Sequence, residues 1–199
     1  MQPTPKQIAL LKAAVFLLCL VPFARLAWGI YADTLGANPV EAVIRGLGDW
    51  ALRFLLVTLT VTPLRKLTGW SWLLRFRRML GLFAFFYALV HFNIYLGLDQ
   101  SYDWAEIAKD IIKRPFITVG MLAFTLMLPL ALTSNAAAIR AIGGKAWQSL
   151  HRLIYVLTIC AVLHFWWMVK LDVTQPEIYA LLLAVLLIVR LRWKKAPAT

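Results

Sequence analysis

Residues 79–98 read MLGLFAFFYALVHFNIYLGL, a run that contains no Asp, Glu, Lys or Arg. An α-helix rising 1.5 Å per residue needs about 20 apolar residues to cross about 30 Å of hydrocarbon. The run contains one histidine, His91, in its second half. It therefore predicts a transmembrane helix with a polar ring inside it.

Five further apolar runs accompany this segment and predict an all-α membrane protein. Hydrophobic residues make up 62% of the chain and charged residues only 15%, against about 25% in average soluble domains. We predict a six-transmembrane-helix bundle that forms one domain over residues 1–199. Its spans are expected at about 8–30, 47–63, 79–98, 115–133, 147–169 and 177–192.

Basic and acidic residues alternate from loop to loop, although the net charge is +12. Lys and Arg cluster at the N-terminus, after spans two and four, and at the C-terminus, which includes Lys194 and Lys195. The opposite loops hold nearly all the acidic residues. By the positive-inside rule, both termini are expected in the cytoplasm. The basic excess therefore indicates membrane topology and argues against a nucleic-acid partner.

The longest polar stretch between spans predicts an amphipathic helix over about 102–113 on the outer face. One helical face of this stretch collects its apolar residues: Trp104, Ile107, Ala108, Ile111 and Ile112. We expect this helix and the acidic loop around it to form a docking surface for a partner protein.

The three histidines, His91, His151 and His164, all lie inside or at the mouth of apolar runs. Counting 1.5 Å per residue puts His91 and His164 in the outer half of the membrane, on different helices, and His151 near the inner surface. Two rings at one depth match the axial ligands of a haem iron. The competing interpretations are ordinary core histidines and proton relays of a transporter.

His151 precedes His164 by 13 residues, which is about 220° around a regular helix. One regular helix would therefore not aim both rings the same way. At the corresponding depth of span three the chain has Arg77 and Arg78 instead of a histidine. Whether an inner metal site exists at His151 stays open.

Five arginines are candidate ligands for the acidic groups of a cofactor: Arg53, Arg75, Arg77, Arg78 and Arg152. Arg53 is expected either to bind a haem propionate or to form an i, i+4 ion pair with Asp49. The cluster of three arginines before span three would hold a flavin phosphate or a propionate, or would only set the topology. Gly81, Gly97 and Gly120 would either admit a flat macrocycle or tighten helix packing, and helix packing is the commoner role of such glycines.

Six segments carry a resemblance to a known family: Leu35–Pro39, Thr62–Arg65, Arg77–Gly81, Leu89–His91, Trp147–Tyr155 and His164–Trp167. They resemble the MsrQ (YedZ) family of haem-binding membrane subunits, within the ferric-reductase-like transmembrane superfamily. The resemblance implies a six-helix bundle with b-type haem, in one or two copies, and leaves FMN open as a second cofactor. His91, His151 and His164 match the candidate iron ligands of the family. Arg77 departs from the second histidine of larger superfamily members.

The resemblance also implies an electron path. Electrons would come from the quinol pool or a cytoplasmic flavin reductase and cross the bacterial inner membrane. They would leave to a periplasmic molybdopterin-dependent methionine-sulfoxide reductase (MsrP) that repairs oxidised proteins. The chain would then be the electron-transfer subunit of this oxidoreductase system and not its catalytic subunit. The sequence has no dinucleotide-binding fingerprint, so the reductant must come from elsewhere.

Two other functions compete with this one. The first is a ferric- or quinone-linked cytochrome b that has the same haem site and another acceptor. The second is a non-haem transporter that uses its intramembrane histidines to carry protons.

Overall fold

The computed structural model describes residues 2–195, with side chains described up to residue 192, and every regular element in that part is helical. The helices are α1 (Pro5–Tyr31), α2 (Pro39–Thr68), α3 (Leu74–Ile94), α4 (Trp104–Lys113), α5 (Pro115–Leu132), α6 (Ala136–Ile142), α7 (Gly144–Leu150), α8 (Leu153–Met168) and α9 (Thr174–Lys195). A 3₁₀ turn at Ser71–Leu73 leads into α3, and a π-helical turn at Tyr95–Asp99 follows it.

Within residues 2–195, five helical segments are long and apolar enough to cross a membrane: Pro5–Tyr31, Ser71–Asp99, Pro115–Leu132, Gly144–Met168 and Thr174–Arg192. The chain is therefore a multi-pass membrane protein whose described part is all-helical, which confirms the all-α membrane class of the prediction. The predicted span 47–63 lies inside α2, which is not among the five. α2 carries Asp49 and Arg53 in its middle and contributes many buried side chains. The sixth span and the cytoplasmic termini stay predictions; the side chains of Lys194 and Lys195 lie outside the described residues.

Two helix pairs build the centre of the bundle, because α2 packs along α3 and α5 packs along α8. Asn38 caps α2 by accepting the Glu41 N–H at 3.1 Å, and Pro39 takes the first helical position. Gly69, with φ of 72°, ends the same helix in the left-handed conformation. Pro115 begins α5 as Pro39 begins α2. Each pair thus sets a histidine-bearing helix, α3 or α8, against a partner helix.

A buried tyrosine fastens α1 to this centre beside Pro22. Proline has no N–H, so it removes one hydrogen bond from the ladder of α1. The Tyr87 hydroxyl lies at this point, where it donates to the Cys19 carbonyl oxygen at 2.7 Å and accepts the Phe23 N–H at 2.9 Å. Tyr87 is fully buried, so the inserted hydroxyl joins α3 to the weakened turn of α1.

The fifth predicted span is interrupted at His151, which corrects our expectation of one helix over 147–169. α7 ends at Leu150, α8 begins at Leu153, and His151 and Arg152 form the turn between them. The His151 ring stacks on Trp147, with ring centres 3.9 Å apart, and this contact accompanies the turn. The rotation of a regular helix therefore does not relate His151 to His164.

Helix α4 lies within the range 102–113 where the sequence predicts an amphipathic helix. Asp103 caps it by accepting the N–H groups of Ala105 and Glu106. Ile107 is buried, whereas Trp104 and Ile112 are exposed. The helix packs on α5 with one apolar face and leaves two large apolar side chains uncovered.

Candidate functional site

His91 of α3 and His164 of α8 face each other in the centre of the bundle. Their ring centres are 6.2 Å apart, and the ring planes are inclined at 81°. Two imidazoles on opposite sides of one metal have centres about 6.4 Å apart, since each metal–nitrogen bond is about 2 Å and each nitrogen lies about 1.2 Å from its ring centre. The observed separation therefore fits one metal atom between the rings of His91 and His164, the two histidines that the sequence predicts at the same depth in the membrane.

Both rings are held at Nδ1 by a backbone carbonyl oxygen. Nδ1 of His91 lies 2.9 Å from the carbonyl oxygen of Ile44, and Nδ1 of His164 lies 2.6 Å from that of Phe116. A carbonyl oxygen only accepts, so each Nδ1 carries the proton and donates it. In a neutral ring, Nε2 then keeps a free lone pair. Metal-binding histidines are commonly oriented in this way.

A cavity of about 410 Å³, which we call the two-histidine cavity, surrounds both rings. This volume lies in the range of about 300–1,000 Å³ that is usual for cofactor pockets. Its walls are mostly apolar and include Phe92 and Phe124, whose rings are 4.7 Å apart. Its polar rim includes Arg45, which pairs with Glu41 at 2.5 Å, and Arg114, which pairs with Asp110 at 3.2 Å.

The two-histidine cavity fits an iron porphyrin better than a bare metal ion. Among the described residues, no group of three or more His, Cys, Asp or Glu side chains is placed to hold a metal. Two imidazoles leave the remaining coordination positions of an iron to the nitrogens of a macrocycle. The Tyr95 hydroxyl is also buried at this cavity without a hydrogen-bond partner in the described part of the chain. A polar group of a ligand would satisfy it.

A second cavity of about 540 Å³, the arginine cavity, lies on the other side of Leu55 and Met127, which line both cavities. Four of its lining residues are arginines: Arg77, Arg78, Arg152 and Arg190. No Asp or Glu lines it, and none of the four is in a salt bridge within the described residues. The arginine cavity is therefore suited to an anionic ligand.

His151 lines the arginine cavity and holds its ring differently from the other two histidines. Its Nε2 lies 3.0 Å from the Thr133 hydroxyl, and that hydroxyl donates to the Pro129 carbonyl oxygen at 2.6 Å. Because the hydroxyl proton is already engaged, Nε2 of His151 must be the donor. The nitrogen that is free on His91 and His164 is thus occupied on His151.

The comparisons with known proteins match this architecture. The family described as Ferric reductase like transmembrane component matches residues 47–162. A relative from Azospira oryzae, named protein-methionine-sulfoxide reductase heme-binding subunit MsrQ, is 60% identical over 94% of this chain and 80% of its own length. The chain belongs to the MsrQ family. This finding confirms the resemblance that the sequence motifs indicate.

Two more MsrQ relatives show how far the similarity extends. The relative from Herminiimonas arsenicoxydans is 52% identical over 96% of this chain and 88% of its own length. The relative from Xanthomonas oryzae pv. oryzae is 48% identical over 100% of this chain and 93% of its own length. Both carry the same name as the relative from Azospira oryzae, so the similarity to the MsrQ family extends over essentially the whole of this chain.

The structure separates the predicted arginines. Arg53 is in the ion pair with Asp49, at 2.5 Å, and also donates to the Tyr179 hydroxyl at 2.8 Å. Arg77, Arg78 and Arg152 line the arginine cavity, whereas Arg75 lies outside the lining of both cavities; all four are exposed.

Sequence reasoning missed several residues that line a cavity or hold one of the histidines: Ile44, Arg45, Gly48, Arg114, Thr133 and Arg190. Arg190 is the most informative of them. We interpreted it as part of a basic C-terminus, but it donates to the Tyr155 hydroxyl at 2.6 Å and to the Leu59 carbonyl oxygen at 2.5 Å.

Proposed function

We propose that this chain is the haem-binding, electron-transferring membrane subunit of a methionine-sulfoxide reductase system. The observation that carries the proposal is the pair of rings 6.2 Å apart, each with Nδ1 held by a backbone carbonyl. The names of its relatives support the haem and the reductase system. When bound, a b-type haem supplies a one-electron carrier inside the membrane.

In this proposal His91 and His164 hold the haem iron through Nε2. The apolar walls of the two-histidine cavity exclude water, and the Tyr95 hydroxyl and the rim cations Arg45 and Arg114 bind the propionates. Arg45 and Arg114 are already in salt bridges with Glu41 and Asp110. Each propionate would therefore bind next to an existing ion pair and not to an arginine without a carboxylate partner. We keep Arg53 as a member of the Asp49 pair and not as a propionate ligand.

We further propose that α2 is a sixth span, so that both termini lie in the cytoplasm of a bacterium and the chain forms one domain in its inner membrane. The charges inside α2 do not oppose this, because Asp49 and Arg53 pair with each other and with Tyr179 of α9. Arg53 also lies over the Trp50 ring, 4.7 Å from its centre. Satisfied in this way, the charged groups are compatible with hydrocarbon.

The arginine cavity would then face the cytoplasm and receive the electrons. Its four arginines, none of which has a carboxylate partner among the described residues, suit the phosphate of FMN, delivered or reduced by a cytoplasmic flavin reductase, or an oxygen of a bound quinol. A second haem here, bound by His151 through Nε2 as His91 and His164 would bind theirs, would require the Nε2 bond to Thr133 to break. We therefore propose one haem and assign His151 to the donor site.

Leu55 and Met127 separate the two cavities, so electrons would cross only one layer of side chains between the donor site and the two-histidine cavity. On the periplasmic side, the acceptor would be a molybdopterin-dependent methionine-sulfoxide reductase. The exposed side chains Trp104 and Ile112 of α4 give it an apolar contact beside the rim of the cavity.

The experiment that tests the haem proposal is the absorption spectrum of the purified protein, produced with adequate haem supply. Reduction with dithionite should give the Soret and α bands of a b-type cytochrome, with one haem per chain. A haem-free preparation would contradict the proposal and favour the transporter function. Two haems per chain would contradict our assignment of His151.

The acceptor is tested separately in membrane vesicles that contain the chain. Quinol or reduced flavin should reduce an added molybdopterin-dependent methionine-sulfoxide reductase through the wild-type chain and not through His91→Ala. If the haem is reduced but the reductase is not, the chain is a cytochrome with another acceptor.

A further inference from the structure

The same arrangement of three groups occurs at both rings of the two-histidine cavity. On α2 the carbonyl of Ile44 accepts Nδ1–H of His91, and Gly48 follows Ile44 by one helical turn. On α5 the carbonyl of Phe116 accepts Nδ1–H of His164, and Gly120 follows Phe116 by one helical turn. In a helix, each of these carbonyls also accepts the N–H of its own glycine. Each ring thus shares a carbonyl with a glycine.

A side chain at either glycine would occupy the place of the ring. A Cβ atom at Gly120 would lie 2.6 Å from Nδ1 and 2.8 Å from Cε1 of His164. A Cβ atom at Gly48 would lie 3.1 Å from Cε1 and 3.2 Å from Nδ1 of His91. At Gly120 the His164 ring and the added methyl group cannot keep their places, whereas at Gly48 the His91 ring has to give by a few tenths of an ångström. Either shift strains the hydrogen bond from Nδ1 to its carbonyl.

From these contacts we propose that Gly48 and Gly120 are positioning residues for the haem ligands. Their missing side chains let the carbonyls of Ile44 and Phe116 orient both rings and hold the Nδ1 protons. This inference rests on the proposed haem function. The hydrogen bond at Nδ1 makes Nε2 a stronger electron donor and stabilises the oxidised iron.

The two glycine sites, which we call the Gly48 and Gly120 cradles, differ in the distance from an added Cβ atom to the histidine ring. This difference predicts which substitution has the larger effect. The closest approach is 2.6 Å at Gly120 and 3.1 Å at Gly48, so a methyl group at Gly120 displaces its ring further. Loss of such an outer partner typically weakens metal binding about 10- to 100-fold. Gly120→Ala should therefore lie near the upper end of this range and Gly48→Ala near the lower end.

The test compares Gly48→Ala and Gly120→Ala with the matched control Gly46→Ala, all purified as full-length protein. Gly46 lies on the same helix as Gly48, and its added methyl would meet Leu26 at 3.0 Å instead of a histidine. The control therefore has the same crowding without contact to a ring. The readouts are the haem content, the rate of haem transfer to apomyoglobin and the midpoint potential of the haem.

We expect faster haem release and a more positive midpoint potential in both cradle variants. The effect should be larger in Gly120→Ala than in Gly48→Ala. Gly46→Ala should keep the wild-type values. Size-exclusion chromatography and circular dichroism check folding; if Gly120→Ala does not fold, Gly48→Ala carries the test. Wild-type values in a folded cradle variant, equal effects in Gly46→Ala, or misfolding of both cradle variants would overturn the proposal. A wild-type chain without haem would instead refute the proposed function.

Discussion

The two cavities of this bundle use the same residue type in opposite ways. In the two-histidine cavity, Nδ1 of His91 and of His164 donates to a backbone carbonyl, and Nε2 is left for a metal. In the arginine cavity, Nε2 of His151 donates to Thr133. This difference shows that depth in the membrane alone does not make a histidine a metal ligand. The partner of its other nitrogen decides what it can bind.

The charges around the two cavities differ as well. The cations at the rim of the two-histidine cavity, Arg45 and Arg114, each have a carboxylate partner. The arginines of the other cavity line a space to which no acidic side chain of the described residues contributes. The first cavity therefore suits an apolar cofactor with a polar edge, and the second suits an anion.

The largest effect that separates the cavities should come from the histidines. His164→Ala removes one of the two proposed axial ligands and should lower the haem content of the purified protein at least tenfold. His151→Ala is the matched control on the same span and should keep nearly all of the haem, because its Nε2 is engaged with Thr133. Pyridine haemochrome measurements give both values. Equal haem loss in the two variants would remove the distinction between the cavities.

A smaller effect should appear at the arginine cavity. Arg77→Gln should raise the Kd of the purified protein for FMN about tenfold, since a hydrogen bond to a charged group contributes about 1.5–3 kcal/mol and Arg77 is partly solvent-exposed. Arg75→Gln is the control, because Arg75 lies on the same helix but outside the cavity. Fluorescence quenching of FMN measures the Kd. Equal weakening by both variants would mean that only the general surface charge matters.

The smallest effect on ligand binding at either cavity is expected from a substitution in the contact between α1 and α3, outside both cavities. Tyr87→Phe removes the hydroxyl that bridges Cys19 and Phe23 and leaves buried backbone groups unsatisfied. We expect a loss of about 1–3 kcal/mol in the free energy of unfolding of the detergent-solubilised protein. The haem spectrum and FMN affinity should stay at wild-type values. A change at one cavity alone would show that Tyr87 belongs to that site.

The sequence predicts the helical membrane architecture and the pairing of His91 with His164, because both follow from the length of apolar runs and from depth along a helix. It does not predict the carbonyl partners, since every residue carries a carbonyl and only the crossing of two helices selects Ile44 and Phe116. Gly120 was noticed with two open interpretations, and Gly48 was missed beside the charged Asp49.

Two other features depend on tertiary contacts that no local pattern announces. The helix break at His151 lies between Leu150 and Leu153, without a glycine or proline at the break. It accompanies contacts of the ring with Trp147 and Thr133. Arg190 was interpreted as a topology signal, because the sequence does not reveal that α9 turns it toward Tyr155 and Leu59.

The central claim is that one iron lies between the rings of His91 and His164, and electron paramagnetic resonance of the oxidised protein tests it most directly. Ring planes inclined at 81° predict a low-spin ferric signal with the large anisotropy of nearly perpendicular imidazoles. This signal should persist in His151→Ala and vanish in His91→Ala. A high-spin signal in the wild-type protein, or a low-spin signal that depends on His151, would contradict the account.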